Sequence, residues 1–234
     1  LPISSLLAAA LVSGSLIYTS GGRGQANVAE NVEGGLLDTA IAEVIRPVGK
    51  DDRIRGSASP KITIIEYSDT ECPYCKVFHE TMHKVMQEYG EDVAWVYRQF
   101  PIEGLHSQAL EEAIATECVA KLGGNDAFWM FVDKIYEVTP SNDRLDLSLL
   151  PEFAELAGVA PDEFESCLSS GETWSEVQED LNDTEELARW MMQNAGRNIG
   201  TPFSVVITKD ESFPLPGAQP YEGIKAVLEQ LLAK

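Results

Sequence analysis

Cys72-Pro73-Tyr74-Cys75 carries the most specific chemistry in the chain: two cysteines separated by two residues. Thiol–disulfide exchange needs a thiolate, and an ordinary cysteine near neutral pH is mostly protonated. A strand-like run ends just before the pair and a helical pattern begins at it, which puts Cys72 at a helix N-terminus. Unpaired backbone N–H groups and the positive end of the helix dipole favour an anionic sulfur there. Pro73 suits the first helical turn, where its missing N–H is not needed. Cys75 falls about one turn further on, within reach of Cys72 for a small disulfide ring. Cys72 is therefore expected to be the exposed nucleophile and Cys75 the more buried resolving thiol. Zinc is the competing use of such a pair. His79 and His83 lie four and eight residues beyond Cys75, so a Cys2His2 ligand count is reached. Such sites more typically place the histidines on a different element, and the reading expects no metal and no cofactor.

Glu66 is the second candidate, inside an otherwise apolar strand six residues before Cys72. A lone carboxyl in a buried strand is unfavourable without a task or a partner. A raised pKa would let it move the proton of Cys75 as a mixed disulfide resolves; the alternative is an edge position facing solvent. Cys118 and Cys167 stand alone, and of the three pairings four cysteines allow, spacing favours Cys72–Cys75 with Cys118–Cys167. His79, His83 and His106 read as surface or helix-packing residues. Trp129, Trp174 and Trp190 read as core.

These residues need elements to hold them. Lys61–Tyr67 is β-branched and aromatic on both faces, with Ile62 and Ile64 on one and Ile65 and Tyr67 on the other, as in a central strand. From Cys72 to about Tyr89, apolar residues recur at helical spacing and Gly90 closes the helix. Val93–Phe100 is the next strand. Helical spacing then runs through Ser107–Leu122, Ala127–Val138, Leu145–Leu156, Pro161–Leu168 and Trp174–Asn194. Extended sequence returns at Pro202–Thr208, followed by a short strand near Phe213–Leu215 and a final amphipathic helix from Tyr221. The order implies a β-α-β unit, a hairpin and a terminal helix, with a helical block between the second and third strands. The expected organisation is an apolar segment at 1–20, a tether and lead-in at 21–55, a sheet domain at 56–102 and 199–234, and a helical insertion at 103–198. Leu36–Ile45 carries a short helical pattern within the lead-in.

Ile64-Ile-Glu-Tyr-Ser-Asp-Thr-Glu-Cys-Pro-Tyr-Cys-Lys-Val-Phe-His79, with Gly200-Thr-Pro-Phe203 and Gly217-Ala-Gln-Pro-Tyr221, resembles the DsbA-like thiol–disulfide oxidoreductases over roughly Asp51–Lys234. The resemblance implies an α/β thioredoxin fold with an all-helical insertion between the second and third core strands. It implies Cys72 as nucleophile, Cys75 as resolving cysteine, Glu66 as the buried acid and Pro202 as a cis-proline packed against the dithiol. Pro73, Tyr74, Thr201 and Pro202 are the expected substrate contacts, and Cys118–Cys167 is the expected structural disulfide. The implied activity is disulfide donation to newly exported proteins, with reoxidation by a quinone-linked membrane partner. Two features depart from the pattern. Tyr74 stands where the best-known oxidases carry His, and Trp95, Val96 and Tyr97 fill the strand in which some members have a Lys facing the buried acid. Disulfide isomerase or reductase is thus the alternative function, and a redox-inactive binding protein a remote one.

Composition sets the surroundings. Against 17 basic residues stand 38 acidic ones, a net charge of −21, which argues against nucleic acid as a partner. Pro151–Ala188 holds twelve Asp or Glu and no Lys or Arg, read as a solvated helical face. The first 22 residues carry no charged side chain and read as a membrane anchor or signal segment. That places the protein in the periplasm or at the outer face of the cytoplasmic membrane, as a monomer.

Overall fold

The computed structural model describes residues 40–234; the apolar segment 1–20 and the tether up to residue 39 lie outside the described residues. Strands β1 (Arg53–Gly56), β2 (Ile62–Ser68), β3 (Val93–Gln99), β4 (Phe203–Thr208) and β5 (Ser212–Pro216) form one sheet in the order β1-β3-β2-β4-β5. β2 runs parallel to β3, and every other neighbouring pair is antiparallel. A parallel pair needs a long crossover, which α1 (Pro73–Tyr89) supplies. Between β3 and β4 lie α2 (Ala109–Val138), α3 (Leu150–Leu156), α4 (Pro161–Ser170) and α5 (Trp174–Ala195), and α6 (Tyr221–Leu232) ends the chain. This is an α/β thioredoxin fold with helices inserted between the second and third core strands.

The alternation of β2 divides the interior. Ile62 and Ile64 meet Phe78, Met82 and Val85 of α1, Phe128, Trp129 and Val132 of α2, and Ile224 and Leu228 of α6. Ile65 and Tyr67 face the other way, against Leu187 and Met191 of α5 with Ile41 and Ile45 of the lead-in. A third cluster, including Phe131, Phe153 and Phe164, lies within the inserted helices. Cys118 and Cys167 are bridged inside it, with S–S 2.01 Å.

Several elements differ from the reading of the sequence. Arg53–Gly56, of which 53–55 were assigned to the lead-in, is an edge strand on β3. Its Arg-Ile-Arg-Gly pattern offers one apolar residue, and charge is what an exposed sheet edge tolerates. The helical pattern at Leu36–Ile45 becomes, among the described residues, a 3-10 turn at Ala40–Glu43. Two expected helices join as α2, kinked at Gly124, whose φ of 81° suits glycine. Trp174 is 38% exposed instead of core, because it opens α5 at the surface. Trp129 packs beneath the sheet with Trp95.

The acidic run is not wholly solvated either. Asp180 and Asp183 are buried, because they answer the cations that reach them. Arg98, fully buried on β3, donates to Asp183 Oδ2 at 2.6 Å, to Asp52 Oδ1 at 2.9 Å and to the Arg46 carbonyl at 2.8 Å. Arg46 Nη2 reaches Asp180 Oδ1 at 2.6 Å, and Tyr67 donates its hydroxyl to Asp183 at 2.6 Å. Lead-in, sheet and α5 are thereby joined. Arg98→Met leaves two buried carboxylates without this cation and should lower stability by about 3–5 kcal/mol in urea unfolding. A loss below about 1 kcal/mol, the range of an exposed pair, would overturn that account.

Candidate active site

Cys72 is the N-cap of α1, with extended backbone (φ −77°, ψ 121°), and Pro73 occupies the first turn. The geometry therefore points backbone N–H groups at the sulfur. The Gly200–Pro202 loop lies against it: the Thr201–Pro202 peptide bond is cis, and the Cys72 thiol donates to the Thr201 carbonyl at 3.4 Å. Cys72 is consequently 5% exposed, and the expected exposed nucleophile is instead a nearly covered one. Cys75 is fully buried and both thiols are unbridged. Tyr74, between them, projects 67% exposed. Val77 on the same helix and Leu105 beyond β3 are exposed apolar residues as well.

The two sulfurs are held apart in acidity. A hydrogen bond from Cys75 lowers the Cys72 pKa to about 6, against the opposing effect of burial, with further help from the Thr201 hydroxyl and the N–H groups of Cys75 and Tyr74. Burial pushes Cys75 well up, and its bond to Cys72 adds to that. Near pH 7, Cys72 is mostly thiolate and Cys75 a thiol.

Glu66 lies beneath the pair. It sits on the central strand, opposite Tyr97 of β3 and Ser204 of β4, with no exposure, which excludes an edge position. Burial raises its pKa to about 7, held from going higher by bonds from Ser68 and Trp95. Ser68 donates to Oε1 at 2.7 Å, and Trp95 Nε1 donates to Oε2 at 2.8 Å. The indole N–H takes the place on β3 where no lysine was found. Ser68 also offsets part of the rise in the Cys75 pKa, and the Cys75 sulfur itself accepts from the Asp69 N–H at 3.5 Å. The Tyr136 hydroxyl lies 3.0 Å from Ser68 and 3.1 Å from the Tyr97 hydroxyl.

Sequence reasoning missed Ser68, Trp95 as the donor to Glu66, and the pair Asp69–His106. Ser68 was findable, because it shares a face with Glu66 at i+2. Asp69 Oδ2 accepts from the Ile102 N–H at 2.9 Å and lies 2.8 Å from His106 Nδ1, while Oδ1 takes the Glu71 N–H. His106 is thus a buried support of the loop before Cys72. His79 is buried too, stacked on Tyr136 at 4.4 Å between ring centroids. Burial pushes its pKa down to about 4, so it is a neutral imidazole. The Cys118–Cys167 disulfide lies apart, in the cluster of inserted helices.

A family model described as thioredoxin matches residues 49–189. The chain belongs to the thioredoxin family. The crystal structure of oxidised BdbD from Bacillus subtilis superposes with a TM-score of 0.63 at 22% identity, covering 82% of this chain and 98% of that one. The thioredoxin fold here has the DsbA-like form. A Na(+)/H(+) antiporter NhaA 1 of Mycolicibacterium gilvum is 28% identical over 62% of this chain and 23% of its own length. A putative protein-disulfide oxidoreductase of Rickettsia bellii is 27% identical over 66% of this chain and 56% of its own. This thioredoxin-family chain thus spans less than a quarter of the antiporter and little more than half of the oxidoreductase.

Two measurements probe the site. Alkylation of Cys72 against pH should give a half-point near 6; an unperturbed thiol would titrate near 8.5. Release of a mixed disulfide by Cys75 should accelerate as Glu66 ionises through pH 7. Glu66→Gln should slow it about 10²-fold and flatten that rise, whereas an unchanged rate and profile would remove Glu66 from the chemistry.

Proposed function

We propose that this protein is an extracytoplasmic thiol–disulfide oxidase that donates the Cys72–Cys75 disulfide to exported proteins. A substrate thiolate attacks Cys72 Sγ and the S–S bond breaks. Cys75 leaves and takes the proton held by Glu66, giving a mixed disulfide on Cys72. A second substrate thiolate then attacks the substrate's own sulfur and expels Cys72 as a thiolate. Two electrons pass to the dithiol, and the substrate gains a disulfide.

The observation that carries this direction is the hydrogen-bonded thiolate of Cys72, with its pKa near 6. Stabilising the reduced form makes the disulfide a stronger oxidant. At pH 7, a lowered Cys72 pKa favours the dithiol over an unperturbed thiol by about 1 kcal/mol, a few tens of mV for two electrons. That contribution is modest, and Tyr74 between the cysteines is the residue that favours an isomerase or reductase instead.

The exposed ring of Tyr74 and the backbone at Thr201–Pro202 offer an apolar contact and hydrogen-bonding groups to an extended substrate. The buried Cys118–Cys167 bridge supports an oxidising compartment. The uncharged segment 1–22 supports anchoring at the outer face of the cytoplasmic membrane, where a quinone-linked partner would reoxidise the dithiol. Among the described residues no helix is long and apolar enough to cross a membrane. The relative from Rickettsia bellii, named a putative protein-disulfide oxidoreductase, agrees with the class of reaction.

The deciding experiment equilibrates the Cys72–Cys75 couple with glutathione and follows refolding of a reduced substrate in parallel. We expect a potential less negative than about −270 mV, the thioredoxin value, together with disulfide formation in the substrate. A potential at or below that value, with no oxidative refolding, would overturn the oxidase reading in favour of a reductase.

A further inference from the structure

Behind the dithiol, three side chains converge for which exchange chemistry has no use. His79 and His83 lie one turn apart on α1, and Asp133 faces them from α2. His79 Nε2 is 2.8 Å and His83 Nε2 3.0 Å from the same oxygen, Asp133 Oδ1, and the two nitrogens are 3.2 Å from each other. We propose that His79, His83 and Asp133 form a binding site for a divalent transition-metal ion, with zinc as the ion that fits best.

The triangle is awkward as a set of hydrogen bonds. If both rings donate to Oδ1, two N–H groups confront each other across the 3.2 Å edge. If only His79 donates, the lone pair of His83 Nε2 lies 3.0 Å from the carboxylate oxygen, relieved only by Arg55 Nη1 at 3.1 Å from both atoms. A central cation removes the conflict, because all three atoms then present lone pairs inward. Tetrahedral zinc with bonds of about 2.0–2.1 Å separates its ligand atoms by about 3.3–3.4 Å. The observed edges need to open by only a few tenths of an ångström. Two imidazoles and a carboxylate, leaving one position for water, also match zinc's donor preference.

Access and orientation fit as well. The side chains of His83 and Asp133 are 37% and 33% exposed, while that of His79 is 4% exposed. The site therefore has a fixed floor and an open rim. Arg55 Nη2 donates to the outer oxygen, Asp133 Oδ2, at 2.7 Å, and its guanidinium stacks over Trp129 at 4.3 Å. That contact orients the carboxylate, as an outer partner of a metal ligand does. Arg55 Nη1 is 3.1 Å from both Asp133 Oδ1 and His83 Nε2. It stands at the rim as a cation that competes with the metal, and binding requires Nη1 to swing off His83.

The test uses the full chain in its oxidised form, so that Cys72–Cys75 and Cys118–Cys167 are both closed and no thiol is free to bind metal. Titration calorimetry with zinc chloride should give one site of micromolar affinity or tighter. His83→Ala, at the exposed corner, and Asp133→Asn should each weaken it tenfold or more, and Arg55→Gln should tighten it. Cobalt should give the visible spectrum of a tetrahedral site in the wild type and lose it in His83→Ala. Zinc should raise the Tm of the wild type and leave that of His83→Ala unchanged. Absence of one-to-one binding in the wild type, or binding that His83→Ala and Asp133→Asn leave intact, would overturn the proposal. So would binding that arises only in Arg55→Gln, since Arg55 would then be the site's permanent cation.

Discussion

Glu66 is a fully buried carboxyl group, and the polar interior under α1 is organised around it. Burial of an unpartnered carboxylate is prohibitive, so each of its oxygens is met by a donor, Ser68 on one and Trp95 on the other. Those donors are themselves held: Ser68 by Tyr136, and Tyr136 by Tyr97 and the Asp69 carbonyl. Asp69 in turn organises the loop that delivers Cys72 to the head of the helix. One buried acid thus connects the middle of the sheet to the reacting sulfurs. Its near-neutral pKa is a property of that whole surround.

The opposite face of the sheet solves a related problem with the charges reversed. Arg98 is a buried cation, and the chain supplies it with carboxylates from two directions, Asp52 before the sheet and Asp183 from α5. Buried ion pairs add little net stability compared with apolar packing, but losing one member is severe. Their effect here is to specify where α5 lies across β2 and β3. The two faces therefore divide the labour: one positions a titrating acid, the other locks the inserted helices in place.

Much of this was legible in the residues. The two-faced apolar pattern of β2, the spacing of Cys72 and Cys75, and the change to helical period after β3 each follow from local physics that tertiary packing did not override. What escaped were features that exist only between elements. Arg53–Gly56 is too short and charged to read as a strand until β3 offers an edge. Asp180 and Asp183 look like any members of an acidic helix until Arg98 and Arg46 arrive from elsewhere. His79, His83 and His106 carry no local mark of burial, and only the fold brings Asp133 and Asp69 to them. In the site itself, the dithiol and Glu66 were visible, and Ser68 was findable from sharing a strand face with Glu66, but the indole of Trp95 was set by register across strands.

The sheet ends at β1 and β5, and among the described residues both borders are already engaged: Asn125 pairs with the backbone N–H and C=O of Ile54, and the Ala42 N–H donates to Ser212 Oγ. β5 carries Pro214 and Pro216, which have no N–H to offer, and β1 presents Arg53 and Arg55 on its short run. Neither border is a good template for a stray strand. With both borders blunted, the loop at Thr201–Pro202 is where the proposed function would have an extended chain engage. Under the function proposed above, an extended client would meet the dithiol at that loop without being drawn into the sheet.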